Sequence, residues 1–145
     1  MILEDKFMKY VVFKKRTENE VRRKCETLKY DEENIDEIIE YLKENEYIND
    51  EKYIEKYIQN VMRLKKCSIN EIKIDLLKRG IDDNLIDKYI DEELEEFEEK
   101  SAIILAEKKI KTMEIEKVKR YLLNKGFSYS NVSKAIDNLK DIDDN

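Results

Sequence analysis

The chain of 145 residues contains two glycines and no proline. Both glycines lie in the same short pattern, which reads LLKRGIDDNLI at 76–86 and LLNKGFSYSNV at 122–132. A sheet protein needs Gly, Asn or Pro for its many turns, whereas abundant Glu, Lys, Leu and Ile favour helices. The composition therefore predicts an all-α chain in which the two glycines mark a recurring joint.

The glycine pattern belongs to an internal repeat that aligns without gaps. Val21, Ile72 and Val118 begin three copies at spacings of 51 and 46 residues. Apolar residues recur four, nine and fourteen positions later, and a helix-capping residue recurs ten positions later. Such a period is typical of helical arrays. The matched residues are Cys25, Leu76 and Leu122; Tyr30, Ile81 and Phe127; Asp31, Asp82 and Ser128; and Ile35, Ile86 and Val132.

This stretch predicts a helix, a left-handed turn and a second helix. Gly80 and Gly126 can adopt the left-handed conformation that ends many helices. The Asp or Ser that follows is a good N-cap, and the apolar residue before the cap can pack on the fourth residue of the new helix. Lys29 replaces glycine in the first copy, so this joint is expected to be looser or differently shaped.

Each copy also contains a helix start and an earlier amphipathic stretch. Thr17 with Glu20 and Ser68 with Glu71 form capping boxes, whereas Glu114 leaves the start less defined in the third copy. The amphipathic stretches lie at 6–13, 53–61 and 102–110. We therefore predict three tandem three-helix repeats, stacked into an elongated, curved array. Their bounds are 1–48, 49–98 and 99–145, and the last includes an acidic tail at 141–145 that is expected to be frayed.

Several classes of function are disfavoured by composition. The chain has no histidine, the commonest general base and metal ligand. Cys25 and Cys67 lack metal-ligand spacing, and Cys25 is predicted to pack in a core. No apolar run approaches a membrane span and Met1 begins no signal peptide. We expect a cytoplasmic protein that is not an enzyme, with no cofactor, metal, membrane partner or small-molecule substrate.

The net charge of −6 hides alternating segments. Residues 1–30, 59–80 and 100–125 carry +4, +4 and +5, whereas 31–58 and 81–99 carry −8 and −9. Within the repeat, Arg22, Lys73 and Lys119 hold one position. A basic stripe would suit an elongated polyanion or an acidic protein groove. Alternatively, these charges solvate helix faces and form ion pairs within helices.

A DNA-reading helix-turn-helix is disfavoured by the same charges. In that motif the helix after the turn enters the major groove. Here that helix is acidic in two copies, DEENIDEIIEYLKENE at 31–46 and DDNLIDKYIDEELEEFEE at 82–99, so phosphates would repel it. Five tyrosines recur with apolar neighbours and are predicted to pack in the core and not to stack on bases. They are Tyr10, Tyr41, Tyr53, Tyr57 and Tyr89.

Several motifs, in this order and spacing, resemble the RecX family. They are TENEVRRKC at 17–25, EYINDEKYIEKYI at 46–58, RLKKCS at 63–68, EIKIDLLKRGIDDNLIDKYID at 71–91 and YLLNKGFSYSNVSKAI at 121–136. The resemblance covers about residues 6–140. Glu46 and Lys29 stand where that family commonly has Gly, and Asn49 where it often has Asp. Only five residues precede the first repeat, so a truncated form is expected.

The resemblance implies a monomeric modulator of the RecA recombinase. Such proteins lie in the helical groove of the RecA–DNA filament, where DNA contact is also feasible, and restrain ATP hydrolysis and strand exchange. A helical-repeat adaptor for another protein and a stand-alone nucleic-acid-binding regulator are the alternatives. The candidate partner-binding residues are Arg22, Arg63, Lys65, Lys66, Lys73, Arg79, Lys119 and Lys125.

Overall fold

The computed structural model describes residues 3–143, and within this range the chain is helical with no strand. The all-α prediction is confirmed. The helices are α1 (Asp5–Phe13), α2 (Glu18–Thr27), α3 (Glu32–Glu44), α4 (Asp50–Leu64), α5 (Ile69–Lys78), α6 (Asp83–Asp87), α7 (Glu92–Lys109), α8 (Ile115–Asn124) and α9 (Tyr129–Asp143). No helix in this range is both long and apolar enough to cross a membrane.

Three hydrophobic cores follow one another along the chain. We call the helices around them unit 1 (α1–α3), unit 2 (α4–α6) and unit 3 (α7–α9). Cys25 is buried in the first core, and the five tyrosines predicted to pack inward lie partly buried against the first or second core. The buried members are Phe7, Val11, Val21, Cys25, Ile35, Ile38, Ile39, Leu42 and Ile48; then Ile54, Val61, Cys67, Ile72, Leu76, Ile81, Ile86 and Leu94; then Ala102, Ala106, Val118, Leu122, Phe127, Val132, Ala135, Ile136 and Leu139.

The turn after the second helix of each unit has one geometry. The φ angles of Lys29, Gly80 and Gly126 are 63°, 81° and 89°. In each unit the next amide donates to the carbonyl five residues earlier, at 3.1, 3.3 and 3.2 Å. The expectation that Lys29 would reshape this turn is wrong, because an exposed lysine can occupy the left-handed region at modest strain. Glu46 does the same after α3, with φ 57°.

The predicted caps are present. Thr17 and Ser68 form complete capping boxes with Glu20 and Glu71. Glu114 precedes α8 but makes no side-chain capping bond. The side-chain oxygens of the three predicted N-caps, Asp31, Asp82 and Ser128, accept from the amides of Asn34, Asn84 and Asn131.

The acidic run at 82–99 is not one helix. Helix α6 ends at Asp87, and the Asp91 carboxylate caps α7 by accepting from the Leu94 amide at 2.9 Å. Helix α7 then continues to Lys109, so the predicted boundary between the second and third repeats, at 98 and 99, lies inside this helix. The helix also begins at Glu92, ten residues before the amphipathic stretch predicted at 102–110. Leu94 packs in the second core and Ala102 in the third. Helix α9 includes 141–143 of the acidic tail, and 144–145 lie outside the described residues.

Candidate partner-binding surface

Successive units are linked by the residue that caps their second helix. The Thr17 hydroxyl accepts from the Glu20 amide at 3.1 Å and donates to the carbonyl of Arg79, in unit 2, at 2.8 Å. The Ser68 hydroxyl accepts from the amide of Glu71 at 3.0 Å and donates to the carbonyl of Lys125, in unit 3, at 2.7 Å. One hydroxyl therefore caps a helix and bridges two units, and the contact occurs twice.

The two glycines lie beside these hydroxyls and face an asparagine of the preceding unit. A Cβ on Gly80 would overlap the Asn19 side chain, and one on Gly126 would lie 2.8 Å from Nδ2 of Asn70. Each glycine is therefore required twice, for its positive φ and for the close approach of the neighbouring unit. Lys29 lies in unit 1, where no helix of an earlier unit packs on the turn within the described residues, so a side chain fits there.

A carboxylate completes each joint. The Glu18 amide, at the start of α2, donates to Oδ1 of Asp50 at 2.9 Å, and the Ile69 amide, at the start of α5, donates to Oε1 of Glu98 at 3.0 Å. Negative charge is favourable at these helix N-termini. Burial, as the main cause, raises the pKa of Asp50. Glu98 is only 3% exposed, and its second oxygen accepts from Nδ2 of Asn131 at 2.6 Å.

We call this set of contacts (hydroxyl to carbonyl, asparagine against glycine, amide to carboxylate) the inter-unit joint. The joint between units 1 and 2 and the joint between units 2 and 3 use the same contacts. Unit 2 is therefore placed on unit 1 in the same way as unit 3 is placed on unit 2. Equivalent residues near the joint therefore recur at similar intervals, and a surface feature that repeats in the sequence there also repeats in space.

Two of the predicted contact residues are engaged within their own units. Arg22 lies 3.0 Å from Asp36, and Lys73 lies 2.9 Å from Asp87 and 3.8 Å from Asp83. Hydrogen bonding to Asp87 is the main cause that raises the pKa of Lys73. Each of these ion pairs joins two helices of one unit, so none is the pair within a helix that the alternative interpretation of the charge pattern expected.

Lys119 holds the same repeat position but has a different neighbour. The pairing carboxylate lies fourteen residues after Arg22 and fourteen after Lys73, whereas Ser133 occupies that place after Lys119. Lys119 and Ser133 line one small surface pocket together with the carboxylates of Glu116 and Asp137. Within the described part of the chain Lys119 forms no ion pair, and its side chain is exposed.

The other candidates fall into two groups. The Arg79 guanidinium is half-buried over Tyr53 and Tyr57, 5.7 and 5.9 Å from the ring centres. The Lys125 side chain is exposed, with its ammonium 5.8 Å from the centre of the Tyr121 ring. The exposed cations at the end of α4 and in the connector to α5, which form no ion pair among residues 3–143, are Arg63, Lys65 and Lys66.

A basic groove that the sequence did not predict lies between helix α4 and the connector that joins α1 to α2, residues 14–17. Its volume is about 400 Å³. Glu46 is the only carboxylate that lines it, and this carboxylate lies 3.7 Å from the ammonium of Lys52. Positive charge therefore dominates a groove that also exposes aromatic surface. The main lining side chains are Lys15, Arg16, Lys52 and Lys56, with Tyr47, Tyr53 and Tyr57.

One signal could have revealed this groove. Lys52 and Lys56, and likewise Tyr53 and Tyr57, are four residues apart, which places each pair on one face of α4. The net charge of −8 over 31–58 concealed these lysines. The other two cations, Lys15 and Arg16, lie in the connector between α1 and α2. The Arg16 guanidinium lies 3.8 Å from the centre of the Tyr10 ring.

The whole arrangement has a close counterpart among solved structures. The crystal structure of RecX from Lactobacillus salivarius superposes with a TM-score of 0.84 and 31% sequence identity, and the match covers 94% of this chain and 93% of that one. The chain belongs to the RecX family. The resemblance found in the sequence is thereby confirmed.

Curated RecX proteins extend beyond the matched region. "Regulatory protein RecX" of Clostridium perfringens strain SM101 is 40% identical over 126 residues, which cover 79% of this chain and 57% of that protein. The RecX protein of Clostridium beijerinckii is 35% identical over 137 residues, covering 88% and 63%. The chain thus spans about three fifths of the length of these curated relatives. The chain matches no protein-family profile.

Proposed function

We propose that this RecX-family protein regulates the RecA recombinase without catalysing a reaction. It binds in the groove of the RecA–DNA filament and inhibits ATP hydrolysis and strand exchange. The observation that carries this proposal is the match to a RecX structure over almost the full length of both chains. The relatives' name, "Regulatory protein RecX", supports a regulatory role.

The repeated joint supports a partner that is itself repetitive. Because both inter-unit joints use the same contacts, Arg79 and Lys125, whose carbonyls form them, lie at equivalent places in successive units. The exposed candidates Arg63, Lys65, Lys66, Lys119 and Lys125 are proposed as direct contacts. We propose a second group of contacts that must first give up an internal partner before they bind the filament. These residues are Arg22, Lys73 and Arg79.

The basic groove supports contact with anionic groups inside the filament. Its lysines and arginine can meet DNA phosphates or acidic side chains, since both are compact anions that favour charge-assisted hydrogen bonds. We propose that the groove adds affinity that falls as salt concentration rises.

The test is RecA's ATPase on single-stranded DNA during titration with this protein. We expect activity to fall towards a plateau and the midpoint to shift to higher protein concentration when Lys15, Lys52 and Lys56 are all changed to Glu. A variant with the exposed Lys6, Lys9 and Lys88 changed to Glu carries the same net charge and should behave as wild type. Unchanged ATPase and strand exchange at filament-saturating concentrations would contradict the proposed function.

The groove also favours a second candidate, a regulator that binds single-stranded nucleic acid directly. A positive groove with aromatic side chains is the usual design for sequence-tolerant binding of single strands, and here Tyr47 is exposed while Tyr53 and Tyr57 are half-buried. Titrating labelled oligonucleotides in the absence of RecA at physiological salt separates the two functions. Tight binding that is lost with the triple Lys→Glu variant would favour the second candidate.

A further inference from the structure

We propose that the basic groove between α4 and the connector of residues 14–17 binds a free nucleotide, with the phosphates on its cations and the base against the ring of Tyr47. The ligand class is a nucleoside polyphosphate. The inference goes beyond the proposed function, because it concerns a small molecule that this protein binds in the absence of RecA.

The guanidinium of Arg16 is fixed in this groove without a carboxylate partner. Its Nε donates to the carbonyl oxygen of Tyr10 at 3.1 Å, and its Cζ lies 3.8 Å from the centre of the Tyr10 ring. These contacts leave the two terminal NH2 groups free, and among residues 3–143 Arg16 forms no ion pair. A guanidinium held in place binds a phosphate group through two hydrogen bonds at once. Arg16 is therefore positioned to receive an anion from outside the chain.

The opposite wall presents a lysine and a tyrosine on each of two successive turns of α4. The sequence EKYIEKYI at 51–58 is one tetrapeptide repeated, so Lys52 and Lys56 lie on one face with their Cβ atoms about 5–6 Å apart. Lys15 lines the same groove from the connector. The four cations and the one carboxylate, Glu46, leave the groove with a net charge of +3. This charge suits a short chain of phosphates.

One aromatic ring in the groove is available for stacking. Tyr47 is 41% exposed, and its ring makes no contact with another ring or a cation among the described residues. Stacking on such a ring suits any base, because every base has a flat π-face. Asn49 caps α4 through its side-chain oxygen, so its NH2 group stays available for the edge of a base. The groove therefore offers both phosphate-binding and base-binding groups.

The size and the surroundings of the groove favour a short ligand over a long strand. Its volume of about 400 Å³ lies towards the lower end of the range for pockets that hold small molecules. The segment 31–58, which supplies the lysines of α4, carries a net charge of −8, and the exposed Glu51 and Glu55 directly precede these lysines. A polyanionic strand that ran beyond the groove would be repelled by these carboxylates, whereas a ligand of the groove's own length would not.

The experiment measures binding of ATP, adenosine and inorganic tripolyphosphate to the purified protein by isothermal titration calorimetry, without RecA or DNA. We expect ATP to bind with a micromolar Kd, tripolyphosphate to bind roughly tenfold more weakly because it has no base to stack, and adenosine not to bind. Arg16→Gln and Lys56→Gln should each weaken ATP binding by roughly tenfold. Tyr47→Ser should weaken ATP binding to the level of tripolyphosphate, and Tyr47→Phe, which keeps the ring, should bind ATP as wild type.

The matched controls are Arg120→Gln and Lys88→Gln, since both residues are exposed and lie outside the groove. Both should bind ATP as wild type. Because Arg16→Gln also removes the bond to the Tyr10 carbonyl, thermal unfolding is measured for every variant. Lys56→Gln repeats the test at an exposed residue that forms no ion pair among residues 3–143.

Three results would overturn the nucleotide site. They are the absence of ATP binding at millimolar concentration, equal affinity for ATP and tripolyphosphate, and an unchanged affinity for ATP in the Arg16 and Lys56 variants. An oligothymidylate that displaces ATP and binds far more tightly would overturn it in favour of a nucleic-acid strand. RecA is absent from all of these measurements, so their failure leaves the proposed function to its own test.

Discussion

The hydroxyl of Ser68 donates a 2.7 Å hydrogen bond to the carbonyl oxygen of Lys125, 57 residues further along the chain. Thr17 makes the same contact with Arg79 across 62 residues. Both hydroxyls also cap a helix, so the start of a helix and the link to the next unit depend on one atom. This coupling makes the inter-unit joint accessible to single substitutions.

Ser68→Ala should lower the free energy of unfolding by about 2 kcal/mol. Loss of the N-cap accounts for about 1 kcal/mol, and loss of the bond to the Lys125 carbonyl for about 1 kcal/mol more. Ser68→Thr is the control, because Thr17 serves in the equivalent place, and it should stay close to wild type. Urea unfolding followed by circular dichroism gives both values. A loss below about 0.5 kcal/mol for the alanine variant would show that the hydroxyl does not bridge the units.

Gly80→Ala should destabilise the protein by about 2–5 kcal/mol. The left-handed φ of 81° costs an alanine about 1–2 kcal/mol, and the overlap of its Cβ with the Asn19 side chain adds about 1–3 kcal/mol. The matched variant is Lys29→Gly, at the equivalent turn, on which no other unit packs among residues 3–143. It should raise stability by about 0.5 kcal/mol, since relief of strain exceeds the entropy that glycine adds to the unfolded chain. The two variants are expected to shift stability in opposite directions, and thermal unfolding of both measures the shifts.

The sequence predicted what is local and missed what depends on how units approach. Gly80, the N-cap that follows it and its apolar neighbours lie within a few residues of one another. Turn chemistry and helix periodicity were therefore sufficient to predict the two helices and the turn between them. The Asn19 contact with Gly80 joins residues in different units, and no local pattern encodes it. The break between α6 and α7 was missed because the cap, Asp91, lies inside an acidic run without Gly or Pro.

The basic groove was missed for a different reason. Net charge over a segment averages both faces of a helix, so the lysines of α4 were hidden among the acids on its other faces. The sequence did not show which candidate cations form ion pairs, because ion pairing depends on side chains one helix away. Arg22 and Lys73 pair with a carboxylate fourteen residues later, where Lys119 has Ser133, and this difference becomes visible only when the repeat is compared position by position.

Asp50→Asn should leave the protein at least as stable as wild type at pH 7. The amide oxygen can still accept from the Glu18 amide, and the desolvated charge is removed. Because burial raises the pKa of Asp50 above its ordinary value of 3.8, the folded state binds the proton more tightly. The group's contribution to stability therefore falls as pH rises from about 3.8 through the folded pKa. The advantage of the variant should be largest at neutral pH and vanish near pH 3, measured by urea unfolding across that range. A constant difference at all pH values would contradict this assignment.

Glu98→Gln should behave in the opposite way, although it is the same chemical change at the equivalent joint. The two carboxylate oxygens of Glu98 accept from different donors, the Ile69 amide and the Asn131 side chain. Glutamine offers one oxygen and one NH2 group. Its NH2 group would therefore face either the Ile69 amide or the Asn131 side-chain amide, and both of these are donors. The expected loss is about 1–3 kcal/mol at pH 7, again by urea unfolding. A neutral result would mean that the Asn131 amide can turn to present its oxygen.

The proposed function predicts that Ser133→Asp weakens binding to the RecA filament and leaves stability within about 0.5 kcal/mol of wild type. The substitution supplies the carboxylate that neutralises Arg22 and Lys73 in the other two units, so Lys119 gains an internal partner that competes with the filament. A reduction in affinity of roughly two- to tenfold is expected at low salt, shrinking as salt screens the contact. Ser133→Asn has nearly the same shape without the charge and should bind as wild type. If the Asp and Asn variants bind alike, Lys119 makes no contact with the filament. The proposed direct contacts would then be limited to Arg63, Lys65, Lys66 and Lys125.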